Sequence, residues 1–325
     1  MDPLSLSEIE AAAQIVYRAM VPTPHYQWPL LADAVGTKVW VKHENATPTG
    51  AFKVRGGLTL IDWLRQHHPN VRHLISATRG NHGQSLAFAA RPAGIDVTVY
   101  VPEGNAATKN AAMRGFGAEV IITGEDFDAS RLAAEAASKQ MPVCFFVPSF
   151  HPALVRGVST YAWEFLSALP DLEVVIVPIG CGSGICGTIL ARDALGHRAQ
   201  VIGVVSENAA TAKLSAEAGK PVATASAHTF ADGIAVRDPV EEALAIYQAG
   251  TEDIVTVSDD DIADAIRLYF EATHTVSEGA GAAPLAALMR YKDRFEGRNV
   301  GIIHCGQNID TRWFAAILNG HTPTV

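Results

Sequence analysis

Short apolar runs rich in β-branched residues alternate along the chain with longer segments of helical composition. The runs are predicted to be strands and span 39–41, 74–76, 97–101, 120–122, 143–147, 174–177, 201–205 and 300–303. The segments between them with helical composition or apolar residues three and four apart are 84–90, 107–116, 130–139, 154–166 and 259–273. Such alternation predicts βαβ units and a largely parallel sheet, which is an α/β fold.

The stretch 174–191 carries no charge and approaches the length of a membrane span. Pro178 and four glycines interrupt it, whereas a span needs about 20 continuously apolar residues. We therefore predict no membrane span and interpret the stretch as a buried strand followed by a glycine-rich turn.

Composition narrows the class of protein. The 325 residues are 48% hydrophobic and 18% charged, which is enough to bury a core of about two structural units. A net charge of -9 offers no electrostatic footprint for nucleic acid. Four scattered cysteines and no amino-terminal signal segment favour a cytoplasmic protein with free thiols.

Lys53 lies in the motif TGAFKVRGG, residues 49–57, in a predicted turn from strand to helix. A lysine that enters a partly apolar turn can have a lowered amine pKa, which suits it to Schiff-base chemistry. An isolated lysine at a helix start is more often solvated, so the surrounding motifs must decide.

Asn81 and His82 lie in RGNHGQ, residues 79–84, ahead of a helix expected to begin near Gly83. Backbone amides at a helix start can hold a carboxylate, and an asparagine amide can donate to a phenolic or carbonyl oxygen. A simple tight turn explains the same residues equally well.

A third motif, GCGSGICG at residues 180–187, follows the most hydrophobic predicted strand. Its glycines allow backbone amides to converge on an anion at the start of a helix. The glycine spacing is not that of a dinucleotide loop, and no Lys-Ser/Thr ending of a nucleotide-triphosphate loop is present. Packing or loop geometry explains Cys181 and Cys186 better than a metal site does.

Cys305 lies at the tip of the last predicted strand. A neutral thiol there could approach a ring nitrogen without supplying a charge. Taken alone, a buried cysteine at a strand end is the simpler interpretation.

Six motifs, in order and over nearly the whole chain, resemble the serine/threonine dehydratase group of fold type II pyridoxal-phosphate enzymes, which includes serine racemase. They are TGAFKVRGG, RGNHGQ, GCGSGICG, FADGIAV, SEGAGAAPLAAL and CGQNID. The resemblance implies a fold like that of the tryptophan synthase β chain, with two open, twisted, largely parallel sheets flanked by helices. It also implies a large domain of residues 1–52 and 153–325 and a small domain of residues 53–152.

The resemblance implies a role for each matching residue. Lys53 would hold pyridoxal 5′-phosphate as a Schiff base, with Phe52 packed on the ring. Asn81 would bond the ring hydroxyl oxygen, and Cys305 would face the ring nitrogen. The phosphate would be bound by Gly180, Cys181, Gly182, Ser183 and Gly184. The cofactor pocket would be lined further by Gly233 and Glu278, and the substrate would be surrounded by Thr78, Arg79, Gly80 and His82.

The implied reaction is dehydration and deamination of a 3-hydroxy amino acid to a 2-oxo acid and ammonia, with Lys53 as general base. Threonine or serine is the expected type of substrate, and phenylserine and 3-hydroxyaspartate stay open. The alternatives are an amino acid racemase and a non-catalytic small-molecule binding protein on the same fold. A neutral thiol opposite the pyridine nitrogen favours elimination.

Two departures from the family pattern change the expectation. Arg79 stands where the racemase has a serine that acts on the α-carbon, and a guanidinium is a poor proton shuttle. This favours dehydration, although Arg79 could also be an outward surface residue. At a cation site of some relatives, Lys213 replaces an acidic ligand near Glu207 and Thr211, so we predict no metal there and a pairing of Lys213 with Glu207.

Three smaller expectations complete the prediction. Gln307 replaces a common glycine, which leaves the geometry around Cys305 open. A carboxyl-terminal regulatory domain is expected to be absent. A homodimer is expected by analogy with the family.

Overall fold

The computed structural model describes residues 1–324. Within that range the strands are β1 His25–Gln27, β2 Lys38–His43, β3 His73–Ala77, β4 Asp96–Val101, β5 Glu119–Ile122, β6 Cys144–Phe146, β7 Val174–Pro178, β8 Gln200–Ser206, β9 Asp253–Val257 and β10 Asn299–His304. The helices are α1 Leu6–Val16, α2 Pro29–Val35, α3 Lys53–His67, α4 Asn81–Ala90, α5 Ala107–Gly115, α6 Phe127–Gln140, α7 Pro152–Ala168, α8 Ser183–Leu195, α9 Thr211–Ala218, α10 Glu241–Gly250, α11 Asp259–Thr273, α12 Gly279–Arg290, α13 Lys292–Phe295 and α14 Thr311–Leu318.

The strands form two sheets. The larger has the order β1-β2-β10-β7-β8-β9, and the smaller has the order β5-β4-β3-β6. Every pair is parallel except β1 with β2. The predicted α/β fold with two largely parallel sheets is confirmed. Because parallel strands are covered on both faces, their buried sequences read as continuous apolar runs.

The stretch 174–191 folds as predicted, into a strand, a turn and a helix. All residues of β7 are buried, and β7 lies between β10 and β8 in the larger sheet. Across residues 1–324, the structure contains no helix that is long and apolar enough to cross a membrane.

The predicted start of α4 is wrong by two residues. The helix begins at Asn81 and not near Gly83, because the amide of Gln84 already donates to the carbonyl of Gly80 at 3.1 Å. This correction makes Asn81 the first helical residue.

Glycines allow α3 to pack closely against α7 and α4. A Cβ on Gly157 of α7 would lie 2.2 Å from the carbonyl oxygen of Arg55, and one on Gly57 would lie 2.7 Å from that of Ser85 in α4. The strands of the smaller sheet fall within residues 53–152, and those of the larger sheet fall outside that range. The division into two domains stays a prediction. Helix α3 packs against α4 of the proposed small domain and also against α7, most of which belongs to the proposed large domain.

Candidate active site

One cavity of about 700 Å³ brings the candidate residues together. Every residue selected from the sequence for the cofactor or the substrate lines it. The cavity lies where strands end and helices begin, which is the usual position of ligands in open parallel sheets. Residues 235–240 and side chains of α6 form other parts of its wall.

Lys53 is the first residue of α3. Just before Lys53, the amide of Phe52 donates to the carbonyl of Cys305 at 3.0 Å. This backbone hydrogen bond fixes the position at which the helix starts. The Lys53 amine donates to the hydroxyl of Ser183 at 2.9 Å and lies 5.0 Å from the centre of the Phe52 ring. Burial lowers the pKa of the Lys53 amine, against the opposing effect of neighbours such as Glu278. A neutral amine is the form that attacks a carbonyl.

The loop after β7 requires its glycines. Gly182 has φ +95°, and a Cβ there would lie 2.5 Å from the Cβ of Ala243. A Cβ on Gly180 would lie 2.4 Å from the carbonyl oxygen of Gly233. Helix α8 begins immediately afterwards at Ser183. The result is a cradle of backbone at a helix amino terminus, a suitable site for a phosphate.

Asn81 has a fixed amide orientation. Its Nδ2 donates to Oε1 of Glu278 at 2.7 Å, and its Oδ1 accepts from Asn308 at 2.8 Å. One of the two amide hydrogens is therefore used by Glu278, and the other is available to the cavity. The neighbouring His82 is buried and its Nε2 has no hydrogen-bond partner within residues 1–324. Burial, aided by the charge of Lys53, lowers the pKa of His82 to about 3.

Cys305 follows β10 and is buried. Burial raises the pKa of its thiol well above the usual value, and the charge of Glu278 adds to this effect. The thiol is therefore neutral, as predicted. Gln307 does not disturb the turn, because its amide donates to the carbonyl of Gly50 at 2.9 Å. Gly306 allows Glu278 to lie close to the turn, since a Cβ on residue 306 would lie 2.4 Å from Oε1 of Glu278.

Arg79 lines the cavity and is half-buried. Its Nε is buried, and no partner for this atom exists in the described part of the chain. The alternative of an outward surface arginine does not hold.

Among the polar residues that were not selected from the sequence, three are connected with Asn81 and Glu278. Lys109 of α5 is buried and forms an ion pair with Asp232, and its Nζ lies 3.8 Å from Oε2 of Glu278. Burial alone would lower the pKa of Lys109, but the charges of Asp232 and Glu278 raise it. Asn308, the third, orients Asn81. Asp232 and Asn308 lie inside quoted motifs, whereas Lys109 resembles an ordinary helical surface lysine.

A buried ionic network supports α3 just after Lys53. The fully buried Arg55 donates to Glu44 at 2.7 Å and to Glu164 at 2.6 Å, and Lys42 bonds Glu164 at 2.5 Å. The charges of the two carboxylates outweigh burial and raise the pKa of Arg55. Two cations and two anions thus offset each other, which a buried charge requires.

The predicted pairing of Lys213 with Glu207 is wrong. Lys213 bonds Glu217 at 2.9 Å, its neighbour one helical turn away in α9, and Glu207 instead pairs with Arg290 at 2.6 Å. In residues 1–324 no group of three or more His, Cys, Asp or Glu side chains is arranged to hold a metal ion.

The residues around the cavity fit pyridoxal 5′-phosphate. A buried amine with a lowered pKa can bond its aldehyde, the glycine cradle can bind its phosphate, and a neutral thiol can face its ring nitrogen. Lys53, the loop at residues 180–184 and Cys305 would hold the group.

Comparison with known proteins gives the same assignment. The family model described as pyridoxal-phosphate dependent enzyme matches residues 16–306. The L-threonine ammonia-lyase of Thermotoga maritima is 32% identical over 316 residues, which are 97% of this chain and 78% of the relative. The match to the biosynthetic L-threonine dehydratase of Haemophilus influenzae, at 31% identity, covers 91% of this chain and 58% of that protein.

Solved structures are also similar. A threonine deaminase from T.th. has a TM-score of 0.87 and 30% identity, with 94% of this chain and 99% of the other covered. A pyridoxal 5′-phosphate-dependent aspartate racemase has a TM-score of 0.89 and 26% identity, with 95% and 97% covered. The chain therefore belongs to the pyridoxal-phosphate dependent enzymes, in the serine/threonine dehydratase group with the type II fold, and pyridoxal 5′-phosphate is its cofactor.

Proposed function

We propose that the enzyme dehydrates and deaminates a 3-hydroxy amino acid of the threonine or serine type, giving a 2-oxo acid and ammonia. The single observation that carries this proposal is the Lys53 amine, which has a lowered pKa and lies 2.9 Å from the hydroxyl of Ser183 in a cavity that also contains the neutral Cys305 thiol. The threonine ammonia-lyase and threonine deaminase names of similar proteins support it.

Lys53 acts as the base. The chemistry that pyridoxal 5′-phosphate supplies when bound is withdrawal of electrons from the α-carbon of the substrate, which makes the α-proton acidic. Burial lowers the pKa of the Lys53 amine, which favours the neutral form that can take that proton. The Ser183 hydroxyl orients the amine. The β-hydroxyl leaves as hydroxide and, together with the α-proton, makes one water. Hydrolysis of the released enamine then consumes one water and yields ammonia and the 2-oxo acid.

The loop of residues 78–82 binds the substrate carboxylate. The amide of Gly80 already bonds the hydroxyl of Thr78 at 3.0 Å, which holds the loop closed on itself. His82 is neutral and can donate a hydrogen bond, and Arg79 brings a charge to the cavity wall. These contacts support the roles that the family resemblance implies for the loop.

A racemase is the second candidate, favoured by the likeness to an aspartate racemase. Arg79 argues against it, because a guanidinium does not exchange a proton near neutral pH. Phenylserine and 3-hydroxyaspartate are further candidate substrates, since Arg79 brings a cation to the wall of a cavity of about 700 Å³.

A substrate panel tests the proposal. The holoenzyme is incubated with the stereoisomers of threonine, serine, phenylserine and 3-hydroxyaspartate, and 2-oxo acid, ammonia and the chirality of remaining substrate are measured. We expect 2-oxo acid and ammonia from at least one of them. Inversion without ammonia would establish the racemase, and binding without any product would establish the non-catalytic alternative.

The cysteines bear on the compartment of the enzyme. All four cysteines are free thiols, as expected in a reducing compartment, so we propose a cytoplasmic enzyme. We also propose that the enzyme is a homodimer and that it binds its amino acid substrate and not nucleic acid. The proposed domains are residues 1–52 plus 153–325 and residues 53–152.

A further inference from the structure

A buried polar cluster joins four segments at the cavity wall. Lys109 of α5 pairs with Asp232, which lies in the turn of helix at 232–234. Glu278 precedes α12, and its Oε2 is 3.8 Å from Lys109 while its Oε1 accepts from Asn81 at the start of α4. The contacts connect residues that are far apart in sequence, so the cluster forms only when the chain folds.

The cluster determines which face Asn81 presents. Asn308 donates to Oδ1 of Asn81 at 2.8 Å and is itself fixed by the carbonyl of Thr49 at 2.8 Å. With Oδ1 occupied, only the Nδ2 group can meet the carboxylate of Glu278. The second hydrogen of Nδ2 is then the only polar hydrogen that this amide can offer to a ligand.

The charge of Glu278 depends on its neighbours. Burial, aided by the charge of Asp232, raises the pKa of its carboxyl to about 7, while Lys109, Asn81 and Lys53 act in the opposite direction. Cys305 also faces the carboxyl, but as a neutral thiol. Oε2 has no hydrogen-bond partner among residues 1–324, which leaves room for a proton on that atom. The carboxyl therefore changes charge near neutral pH.

We propose that Glu278 is a positioning residue for the cofactor, which holds the Asn81 amide with its free N–H towards the cofactor ring and does so most firmly when Lys109 keeps it ionised. This inference rests on the proposed function of the site. An ionised acceptor makes a hydrogen bond about twice as strong as a neutral one. Protonation of Glu278 therefore loosens Asn81, and Asp232 sets the pH of that change by competing for Lys109.

The test follows the visible absorption band of the lysine-bound cofactor as a function of pH, without substrate. The wild-type enzyme is expected to show a step near neutral pH. In Glu278→Gln the step disappears. In Lys109→Met it moves to higher pH, because two acids lose their cation, and in Asp232→Asn it moves to lower pH, because Lys109 is released to Glu278. We expect each movement to reach about one pH unit, equivalent to 1.36 kcal/mol.

Controls separate positioning from folding. Glu207→Gln also removes an acid paired with an arginine, but Glu207 lies outside the cavity, and this variant keeps the wild-type step. If Lys109→Met does not fold, Lys109→Arg is measured in its place. This variant retains the positive charge and is expected to keep the step.

Several results would overturn the proposal. They are a wild-type band without a step, a step that persists unchanged in Glu278→Gln, and movement of the step in the same direction in Lys109→Met and Asp232→Asn. Failure of the proposed function is a different result, in which wild-type enzyme forms no 2-oxo acid although the band and its step are present.

Discussion

The amine of Lys53 lies 2.9 Å from the hydroxyl oxygen of Ser183, and this bond joins the first residue of α3 to the first residue of α8. The amine thus meets a neutral partner at the mouth of the glycine cradle. In residues 1–324 no carboxylate forms a salt bridge with Lys53 (the paired lysines are Lys42, Lys109 and Lys213). Burial can therefore lower the amine pKa, and the same contact orients the base.

Replacing Ser183 tests this contact. Because a hydrogen bond between neutral groups contributes about 0.5–1.5 kcal/mol, we expect Ser183→Ala to lower kcat/KM about two- to tenfold. Ser183→Thr keeps the hydroxyl and is expected to retain more activity than Ser183→Ala. Steady-state kinetics on the preferred substrate measure both, and equal activity of Ser183→Ala and wild type would remove Ser183 from the mechanism.

Gly180 tests the phosphate cradle. A Cβ at this position would lie 2.4 Å from the Gly233 carbonyl oxygen, and backbone cannot move aside easily, so Gly180→Ala displaces the loop. We expect the Kd for pyridoxal 5′-phosphate, measured by absorbance titration, to rise at least about tenfold, or 1.4 kcal/mol. Gly115→Ala is the matched control, because a Cβ there meets nothing within 4 Å, and its Kd is expected to stay unchanged.

Cys305 tests the choice of reaction. Its thiol is neutral because burial raises its pKa, so it leaves the cofactor ring nitrogen unprotonated. Cys305→Ser keeps a neutral partner and is expected to retain dehydration. Cys305→Asp introduces a carboxylate, which favours a protonated ring, and we expect a lower ratio of 2-oxo acid formation to exchange of the α-hydrogen with solvent. The ratio is measured by proton NMR in D2O, and an identical ratio in all three enzymes would contradict the assigned role.

Replacing Arg55 tests whether the buried ionic network next to Lys53 stabilises the fold. Arg55 is fully buried, and Arg55→Met leaves Glu44 and Glu164 with one cation, Lys42, between them. Loss of one partner of a buried ion pair costs about 3–5 kcal/mol, so urea unfolding should show a destabilisation of that size. Arg312→Met, at a side chain that is 86% exposed, is the control and should change stability by no more than about 0.5 kcal/mol. A small effect at both positions would mean that the network does not stabilise the fold.

Much of the fold follows from local patterns. Each of the eight apolar runs predicted from the sequence overlaps a strand. Strands that are buried on both faces, such as β7 and β8, have continuous apolar sequences. Helix α11 has the predicted bounds, 259–273, and the structure shows a capping box of Ser258 and Asp261 at its start. Strands β1 and β9 were missed. β1 has only three residues, of which two are exposed. The sequence of β9, DIVTV, has the same β-branched apolar character as the predicted strands, so it could have been predicted.

Some residues of the site could also be predicted from sequence motifs, and others could not. Lys53, the glycine loop and Cys305 lie at strand or helix ends whose motifs are visible in the sequence, and the structure places them around one cavity. Lys109 could not be found that way, because its burial depends on Asp232, 123 residues further along the chain. The pairing of Lys213 failed for a different, local reason, since Glu217 lies four residues further along in α9 and so one helical turn away.

The most direct test of the central claim is the product balance of wild-type enzyme and Lys53→Ala with a 3-hydroxy amino acid and added pyridoxal 5′-phosphate. The account predicts that the wild-type enzyme forms 2-oxo acid and ammonia in equal amounts and that Lys53→Ala, although folded, forms neither above background. Undiminished product formation by Lys53→Ala would contradict it.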